Sequence, residues 1–329
     1  MKGSLKTYSL HNKIKKSKNT RNTMTPAEHW ANQHERGHAL FLKLTALMVK
    51  YLPVWIMRLC TAIVCAYFYA TSAAQRRHIH QYQTRLKHSF PTCRLPETCA
   101  VYRQFATFGE AITDRFAVWQ HKITYADLVL DDRDDLYADI RDHSARGQIF
   151  ICSHLGNVEI CRALVSHHIG FKMNVLVHSR HAQAFNQALK NAGASDIHLI
   201  QVSELDGAKM LELANRLDAG EWLAITADRI PIRGEKTVAV NFLGDTAQLP
   251  QGAWLMAQLL KAKTNTLFVL KKQGKYHLIL RRFADVPNVK RADRAAAIAA
   301  HAQRYADELA QHAADVPLQW FNFYDFWAE

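Results

Sequence analysis

Short apolar runs and helical apolar periods alternate along the chain from residue 128 onward. The apolar runs predict strands at 148–153, 173–178, 197–202, 222–227, 266–271 and 276–282. Positions that repeat every three or four residues predict helices at 100–120, 136–145, 157–169, 182–192, 252–263 and 293–314. A further helix follows residue 202, with Ser203 and Asp206 as candidate caps. This alternation predicts an α/β fold in which a mixed, mostly parallel sheet is flanked by helices.

The chain before residue 80 has a different pattern. Residues 1–23 hold seven cations and no acid, which predicts a disordered basic tail. This tail is either a membrane contact or an upstream extension before a true start at Met24, and the second interpretation is preferred. The longest charge-free piece, 59–75, is at the short limit of the about 17–25 residues of a spanning helix. Aromatics and cations around it favour interfacial helices over a single pass or buried core helices. We therefore predict a tail at 1–23, membrane-associating helices at 24–80 and an α/β domain at 81–329.

The charge and the cysteine content limit the partners. The net charge of +13 falls to +6 without the seven cations of the tail. This excess suits anionic lipid, coenzyme A or an acidic carrier protein, and no nucleic-acid partner is expected. The six cysteines form no disulfide framework, which favours a reducing, cytosolic compartment. The 18 histidines lack ligand sets with zinc-site spacing, so we expect no metal and no cofactor.

The segment 148–159 carries the candidate chemistry. It delivers His154 to a turn, and Glu159 follows five residues later. A carboxylate that fixes the tautomer of an imidazole makes it a general base for an acceptor hydroxyl. The pair meets only if His154 lies in the turn and the helix begins near Asn157, whose N-terminus then offers backbone donors to an oxyanion or a phosphate. An ordinary core strand followed by a turn is the alternative, and for an isolated pair it is the commoner one.

Charged residues follow other predicted strands as well. Arg180, Asp228 and Arg229 each lie at or just beyond a strand end, the edge at which α/β sheets collect functional residues. From spacing alone, the preferred interpretation of the two arginines is that they are ordinary surface cations, and Asp228 is a structural partner for an arginine before it is a catalytic group. Ser153 has no Gly-x-Ser-x-Gly context, which favours direct transfer over an acyl-enzyme.

Several blocks beyond this segment resemble one family. They are Glu28-His29-Trp30-Ala31, Asp114-Arg115, His178-Ser179-Arg180, Asp228-Arg229, Phe242-Leu243-Gly244, Pro250-Gln251-Gly252 and the aromatic end at 319–327. With the motif from His154 to Glu159, they resemble the late acyltransferases of lipid A biosynthesis (lauroyl/myristoyl acyltransferase-like) of the lysophospholipid acyltransferase superfamily. Arg229, where that family tends to have glutamine, and the basic tail make the chain look like a side branch of predicted acyltransferases.

The resemblance implies a glycerolipid acyltransferase-like fold and a membrane-associated O-acyltransferase. Such an enzyme moves a fatty acyl group from an acyl carrier protein or coenzyme A thioester to a hydroxyl of a (glyco)lipid acceptor, at the cytoplasmic face of a bacterial inner membrane. It implies that His154 and Glu159 are the catalytic pair, with Arg180 as an alternative to the backbone for the oxyanion. The expected substrate-binding residues are Asn157, Arg180, Asp228, Arg229, Gly244 and Pro250.

Two other functions stay open from the residues. A thioesterase or lipid hydrolase uses the same pair of side chains to activate water. A non-catalytic peripheral membrane protein binds anionic lipid through the basic front end. Trp320, Phe323 and Trp327 are interpreted as packing or interfacial aromatics and not as substrate contacts.

Overall fold

The computed structural model describes residues 51–161, 170–177, 197–230, 236–286 and 289–328. The basic tail, Arg180 and the helix predicted at 182–192 lie outside the described residues. The helices within these ranges are α1 Val54–Thr71, α2 Ala73–Ser89, α3 Ala100–Trp119, α4 Leu136–Arg141, α5 Gly207–Asp218, α6 Gly252–Leu259 and α7 Arg294–Asp315. The strands are β1 Leu128–Asp132, β2 Ile149–Cys152, β3 Met173–Val177, β4 Ile197–Gln201, β5 Trp222–Thr226, β6 Thr237–Phe242, β7 Asp245–Pro250, β8 Thr264–Lys272 and β9 Lys275–Ala284.

Seven of these strands form one mixed sheet in the order β1-β9-β8-β2-β5-β3-β4. Every neighbouring pair is parallel except β8 and β9, which form an antiparallel hairpin. Along β2, Ile149 and Ile151 pack into one apolar cluster, whereas Phe150 and Cys152 pack into another. Successive strand residues point to opposite faces, so both faces of the sheet are covered. The predicted mostly parallel α/β fold is confirmed.

The hairpin of β6 and β7 is one of two elements that the pattern did not predict as strands; the other is β1. Val238, Val240 and Phe242 are buried while their neighbours are more exposed, which is the two-residue alternation of a half-buried strand. The turn carries Leu243 and Gly244 at positive φ, +54° and +88°. Turns of this kind usually contain Asn-Gly or Asp-Gly, and the leucine in the first position hid the hairpin.

Other boundaries follow local chemistry. The cap predicted at Asp206 is confirmed, since its Oδ1 accepts a hydrogen bond of 2.8 Å from the backbone N–H of Lys209. The helix predicted at 136–145 ends at Arg141, because Asp142 folds back and accepts hydrogen bonds from the backbone and the hydroxyl of Ser144.

The first two described helices differ in their burial. On α1, Trp55, Leu59, Ile63 and Tyr67 follow one another at intervals of four and are all more than half exposed. By contrast, α2 buries Ile79, Tyr82 and Leu86 and passes through the boundary predicted at residue 80.

A continuous spanning helix was one expectation for this part of the chain. Within the described residues, no single helix is long and apolar enough to cross a membrane. Trp55–Thr71 and Ala73–Ser89 meet that test only together, and they are bent by 95° where they join. The charge-free piece 59–75 is therefore divided between two helices.

Candidate active site

The segment that follows β2 brings His154 to the carboxyl edge of the sheet. His154 lies two residues beyond the strand in a bend, and its side chain is 31% exposed. The chain then turns at Gly156 with φ of +75°. A Cβ added there would lie 2.0 Å from the carbonyl oxygen of Val269, so only glycine fits this approach. The prediction that His154 lies in the turn is confirmed.

The backbone N–H groups that follow His154 donate to partners within the protein. Leu155 donates to Ser153 Oγ at 3.2 Å, Gly156 to the Gln319 carbonyl at 2.8 Å and Asn157 to the Val269 carbonyl at 2.9 Å. These donors are engaged, so the expectation that the backbone near Asn157 stabilises an oxyanion is wrong for them. Arg180, the alternative donor, lies outside the described residues.

The imidazole of His154 meets the carboxylate of Asp228. β2 and β5 are parallel neighbours, so the residues that follow them emerge side by side. His154 Nδ1 lies 2.8 Å from Asp228 Oδ1, and the backbone N–H of His154 donates to Oδ2 at 2.9 Å. Asp228 is fully buried. This geometry corrects the interpretation of Asp228 as first of all a partner for an arginine.

The electrostatics of the pair favour a neutral imidazole on an ionised carboxylate. Burial by itself raises the pKa of Asp228, but His154, its hydrogen bonds and the charge of Arg229 outweigh it and lower that pKa to about 2. Burial and the positive charges of Arg229 and Arg115 lower the pKa of His154, against the opposing effect of Asp228. An ionised carboxylate only accepts hydrogen bonds, so Nδ1 carries the proton and Nε2 is the basic nitrogen.

Residues 319–324, here called the C-terminal segment, lie along the turn and around Asp228. The Phe321 N–H donates to the His154 carbonyl at 3.0 Å. Trp320 Nε1 and Asn322 Nδ2 both donate to Asp228 Oδ2, at 3.3 and 3.1 Å. Trp320 is fully buried and does pack, as expected, but it also holds the carboxylate. Asn322 was missed as a site residue; its signal is a polar side chain inside an aromatic run.

Arg229 points to the same segment. Its Nε donates to Asn322 Oδ1 at 2.6 Å, and its Nη2 donates to the Phe321 carbonyl at 2.8 Å. The structure therefore brings together His154, Asp228 and Arg229 from the predicted set. A role for Arg229 in substrate binding stays a prediction.

Asn157 holds the turn from the other side. Its Nδ2 donates to the Ala111 carbonyl at 2.9 Å, and its Oδ1 accepts from Arg115 Nε at 3.2 Å. Asn157 is buried, so these contacts with α3 give its amide a structural task. Its predicted contact with substrate is untested.

The same helix is anchored to the end of β8 by a polar cluster. Lys271 Nζ lies 2.7 Å from Glu110 Oε1 and 2.7 Å from Asp114 Oδ2, and the Tyr276 hydroxyl donates to Asp114 at 2.6 Å. Glu110 and Asp114 are four residues apart and so share one helix face. These contacts fix α3 against the sheet beside Asn157.

Three further residues of the predicted site are Glu159, Gly244 and Pro250. Glu159 lies in the 3-10 turn Val158–Ile160, which begins after Asn157 without a side-chain cap from it, and residues 162–169 of the helix predicted at 157–169 lie outside the described residues. Gly244 lies in the turn of the β6–β7 hairpin, and Pro250 ends β7 opposite Thr237. The hairpin reaches the C-terminal segment through Phe242, whose ring centroid is 5.2 Å from that of Trp320. Catalysis by Glu159 and substrate binding by Gly244 and Pro250 stay predictions.

One comparison with known proteins identifies a family. The model of the family described as bacterial lipid A biosynthesis acyltransferase matches residues 27–328. The matched range includes the whole sheet, the turn at His154 and the C-terminal segment. A search of curated proteins finds no match.

Proposed function

Because the chain belongs to the family of bacterial lipid A biosynthesis acyltransferases, we propose that His154 is the general base with which it transfers a fatty acyl group to a lipid hydroxyl. The observation that carries this proposal is the contact of 2.8 Å between His154 Nδ1 and the buried carboxylate of Asp228. It orients a partly exposed ring and leaves Nε2 to take a proton. The same logic operates in the histidine–aspartate pair of serine proteases.

The proposed reaction is a direct transfer in which atoms and charges balance. Nε2 of His154 removes the proton of the acceptor hydroxyl as its oxygen attacks the thioester carbonyl. The tetrahedral intermediate collapses with cleavage of the C–S bond, and the imidazolium returns its proton to the departing thiolate. Asp228 stabilises the imidazolium between these steps. Arg180 is the proposed donor to the oxyanion.

The donor is proposed to be an acyl carrier protein thioester, with a coenzyme A thioester as the alternative. The net charge of +13 favours an acidic protein partner. We expect transfer from the carrier protein to weaken steeply as salt rises from about 50 to 200 mM, since surface attraction is screened over about 10 Å at 0.1 M. If transfer from acyl coenzyme A equals transfer from the carrier protein at every salt concentration, coenzyme A is favoured as the donor.

The enzyme is proposed to attach to the cytoplasmic face of the inner membrane through α1. The exposed stripe of Trp55, Leu59, Ile63 and Tyr67 resembles the apolar face of an interfacial helix. Serine at Leu59 and Ile63 should release the protein from vesicles of anionic lipid. The matched control is serine at Leu211, an exposed leucine of α5, which should leave binding unchanged. Equal binding of both variants would exclude α1 as the anchor.

Labelled acyl thioester and a lipid A-like acceptor test the reaction itself. His154→Ala should lower acyl transfer by about 10²–10⁴-fold, the usual contribution of a general base. Wild-type transfer in this variant would overturn the mechanism. Release of free fatty acid without an acceptor, at the rate of transfer, would instead identify a thioesterase or lipid hydrolase.

A further inference from the structure

The side-chain amide of Asn322 lies between two consecutive residues of opposite charge. Its Nδ2 donates to Asp228 Oδ2 at 3.1 Å, and its Oδ1 accepts from Arg229 Nε at 2.6 Å. Asn322 is 2% exposed, so both ends of the amide are engaged inside the protein. Such a buried amide is stable only where it meets a donor and an acceptor at once.

We propose that Asn322 is a positioning residue that keeps Asp228 on His154 by holding Arg229 away from the carboxylate. The proposal rests on the proposed role of His154 as general base. It assigns a task in catalysis to the C-terminal segment, which reaches the site from more than 90 residues beyond Asp228.

The hydrogen bonds of Asp228 are divided between its two oxygens. Oδ2 accepts from the His154 backbone, from Trp320 and from Asn322, whereas Oδ1 accepts from the His154 ring. The C-terminal segment thus occupies Oδ2 and directs Oδ1 to the imidazole. An arginine that paired with both oxygens would compete with the ring for Oδ1, because guanidinium and carboxylate form strong bidentate pairs.

Arg229 is held in the other direction by the same segment. Nε donates to Asn322, and Nη2 donates to the Phe321 carbonyl at 2.8 Å. The charge of Arg229 still stabilises ionised Asp228 through space, but its directional bonds go elsewhere. An amide at position 322 meets both requirements, since it carries one donor and one acceptor at a single site.

Asn174 provides a matched control at the opposite end of the sheet. It is 1% exposed, its Nδ2 donates to Glu221 at 3.0 Å, and its Oδ1 accepts from Arg216 at 3.2 Å. Its position in β3 is opposite Leu223, near the start of β5, whereas Asp228 follows the end of β5. The same three groups, an amide, an arginine and a carboxylate, therefore lie where they cannot orient His154.

The test measures the pKa of His154 without relying on enzyme activity. Diethyl pyrocarbonate acylates neutral imidazole, so the rate of modification of His154 against pH, followed by peptide mass spectrometry, reports that pKa. Among the residues that the structure describes, the charged groups that act on the ring are Asp228, Arg229 and Arg115. In Asn322→Leu, Arg229 should capture Asp228, and the midpoint of modification should move to lower pH.

Activity and rescue complete the experiment on the full chain. Asn322→Leu should lower kcat by about 10²-fold, as a small misplacement of a catalytic group does, with little change of KM. Adding Arg229→Gln should restore the midpoint and part of kcat, because the competing cation is gone. Since the charge of Arg229 also lowers the pKa of His154, the midpoint must rise by more than Arg229→Gln alone raises it in the otherwise wild-type protein. Asn174→Leu should lower the melting temperature and leave the midpoint and kcat unchanged.

Two outcomes decide against the proposal. An unchanged midpoint in Asn322→Leu, or a shift that Arg229→Gln does not reverse, overturns the positioning role. If Asn322→Leu does not fold, Asn322→Ala takes its place with the same expectations. Full transfer by His154→Ala would remove the proposed function, whereas the modification midpoint would still report on the contact between Asn322, Arg229 and Asp228.

Discussion

The two ends of the central sheet use the same three groups in different ways. At the amino end, the amide of Asn174 lies between Arg216 and Glu221, and Arg216 also reaches Glu221 directly at 3.1 Å. At the carboxyl end, Asn322 lies between Arg229 and Asp228, and the carboxylate holds a histidine ring. Arginine, amide and carboxylate form an ion pair at one end, whereas at the other the carboxylate contacts a histidine ring.

Burial explains why this difference matters. Side chains of the amino-end pair are 29% and 14% exposed, so water screens their attraction and the ion pair contributes modest stability. Asp228 is fully buried and needs every hydrogen bond that it receives. A buried carboxylate with directed partners orients a ring; a partly exposed one mainly ties elements together.

The largest expected effect comes from removing the charge at each end. Asp228→Asn should lower kcat by about 10³–10⁴-fold, because an amide that donates to Nδ1 stabilises the wrong tautomer. Glu221→Gln, the matched change at the amino end, should leave kcat within about twofold while lowering stability slightly. Initial rates of acyl transfer check both. Equal losses of kcat would show that the two ends are not functionally distinct.

Glycines on both sides of β2 offer a second comparison. A Cβ at Gly147 would lie 1.9 Å from the Glu221 carbonyl, and one at Gly156 would lie 2.0 Å from the Val269 carbonyl. Alanine at either position should lower the free energy of unfolding by about 3 kcal/mol, since backbone must move. In the folded fraction, only Gly156→Ala should also lower kcat, because it displaces the turn at His154. Denaturant unfolding and active-site-normalised rates separate the two effects.

The pH dependence of stability sharpens the contrast further. A carboxylate whose pKa is lowered on folding contributes stability that is present above its unfolded pKa and is lost as pH falls through the folded value. For Asp228, with a pKa of about 2, a contribution of about 2 kcal/mol should disappear between about pH 4 and pH 2. Unfolding of wild type and Asp228→Asn along this range measures it. A difference that persists unchanged at pH 2 would contradict the lowered pKa.

Of the two carboxylates proposed to act at the site, Glu159 gives the smaller expected loss of activity. Glu159→Gln should lower kcat by about tenfold, less than Asp228→Asn, because Asp228 is the carboxylate on Nδ1. A larger loss of kcat in Glu159→Gln than in Asp228→Asn would favour His154 and Glu159 as the catalytic pair that the motif suggests. Acyl-transfer assays of Glu159→Gln and Asp228→Asn at equal concentrations of folded protein show which variant loses more activity.

Much of the architecture could be predicted because its signals are local. The buried runs at 149–152 and 222–226 carry the continuous apolar pattern of strands covered on both faces. The cap at Asp206 and the turn at Gly156 follow from single residues with strong backbone preferences. The β6–β7 hairpin was missed since its turn lacks the usual residues, although its alternation was visible in the chain.

Local signals place His154 two residues beyond a buried strand, in a turn that only glycine permits. The carboxylate that it meets depends on how the whole chain packs. Asp228 is 74 residues away in the chain and Asn322 a further 94, yet all three meet because parallel strands end at one edge and the C-terminal segment crosses it. Spacing along a chain reports neighbours within a few residues, and Glu159 was the nearest acid by that measure. Strand order and the return of the chain end, which follow from the packing of the whole core, gave the histidine its partner.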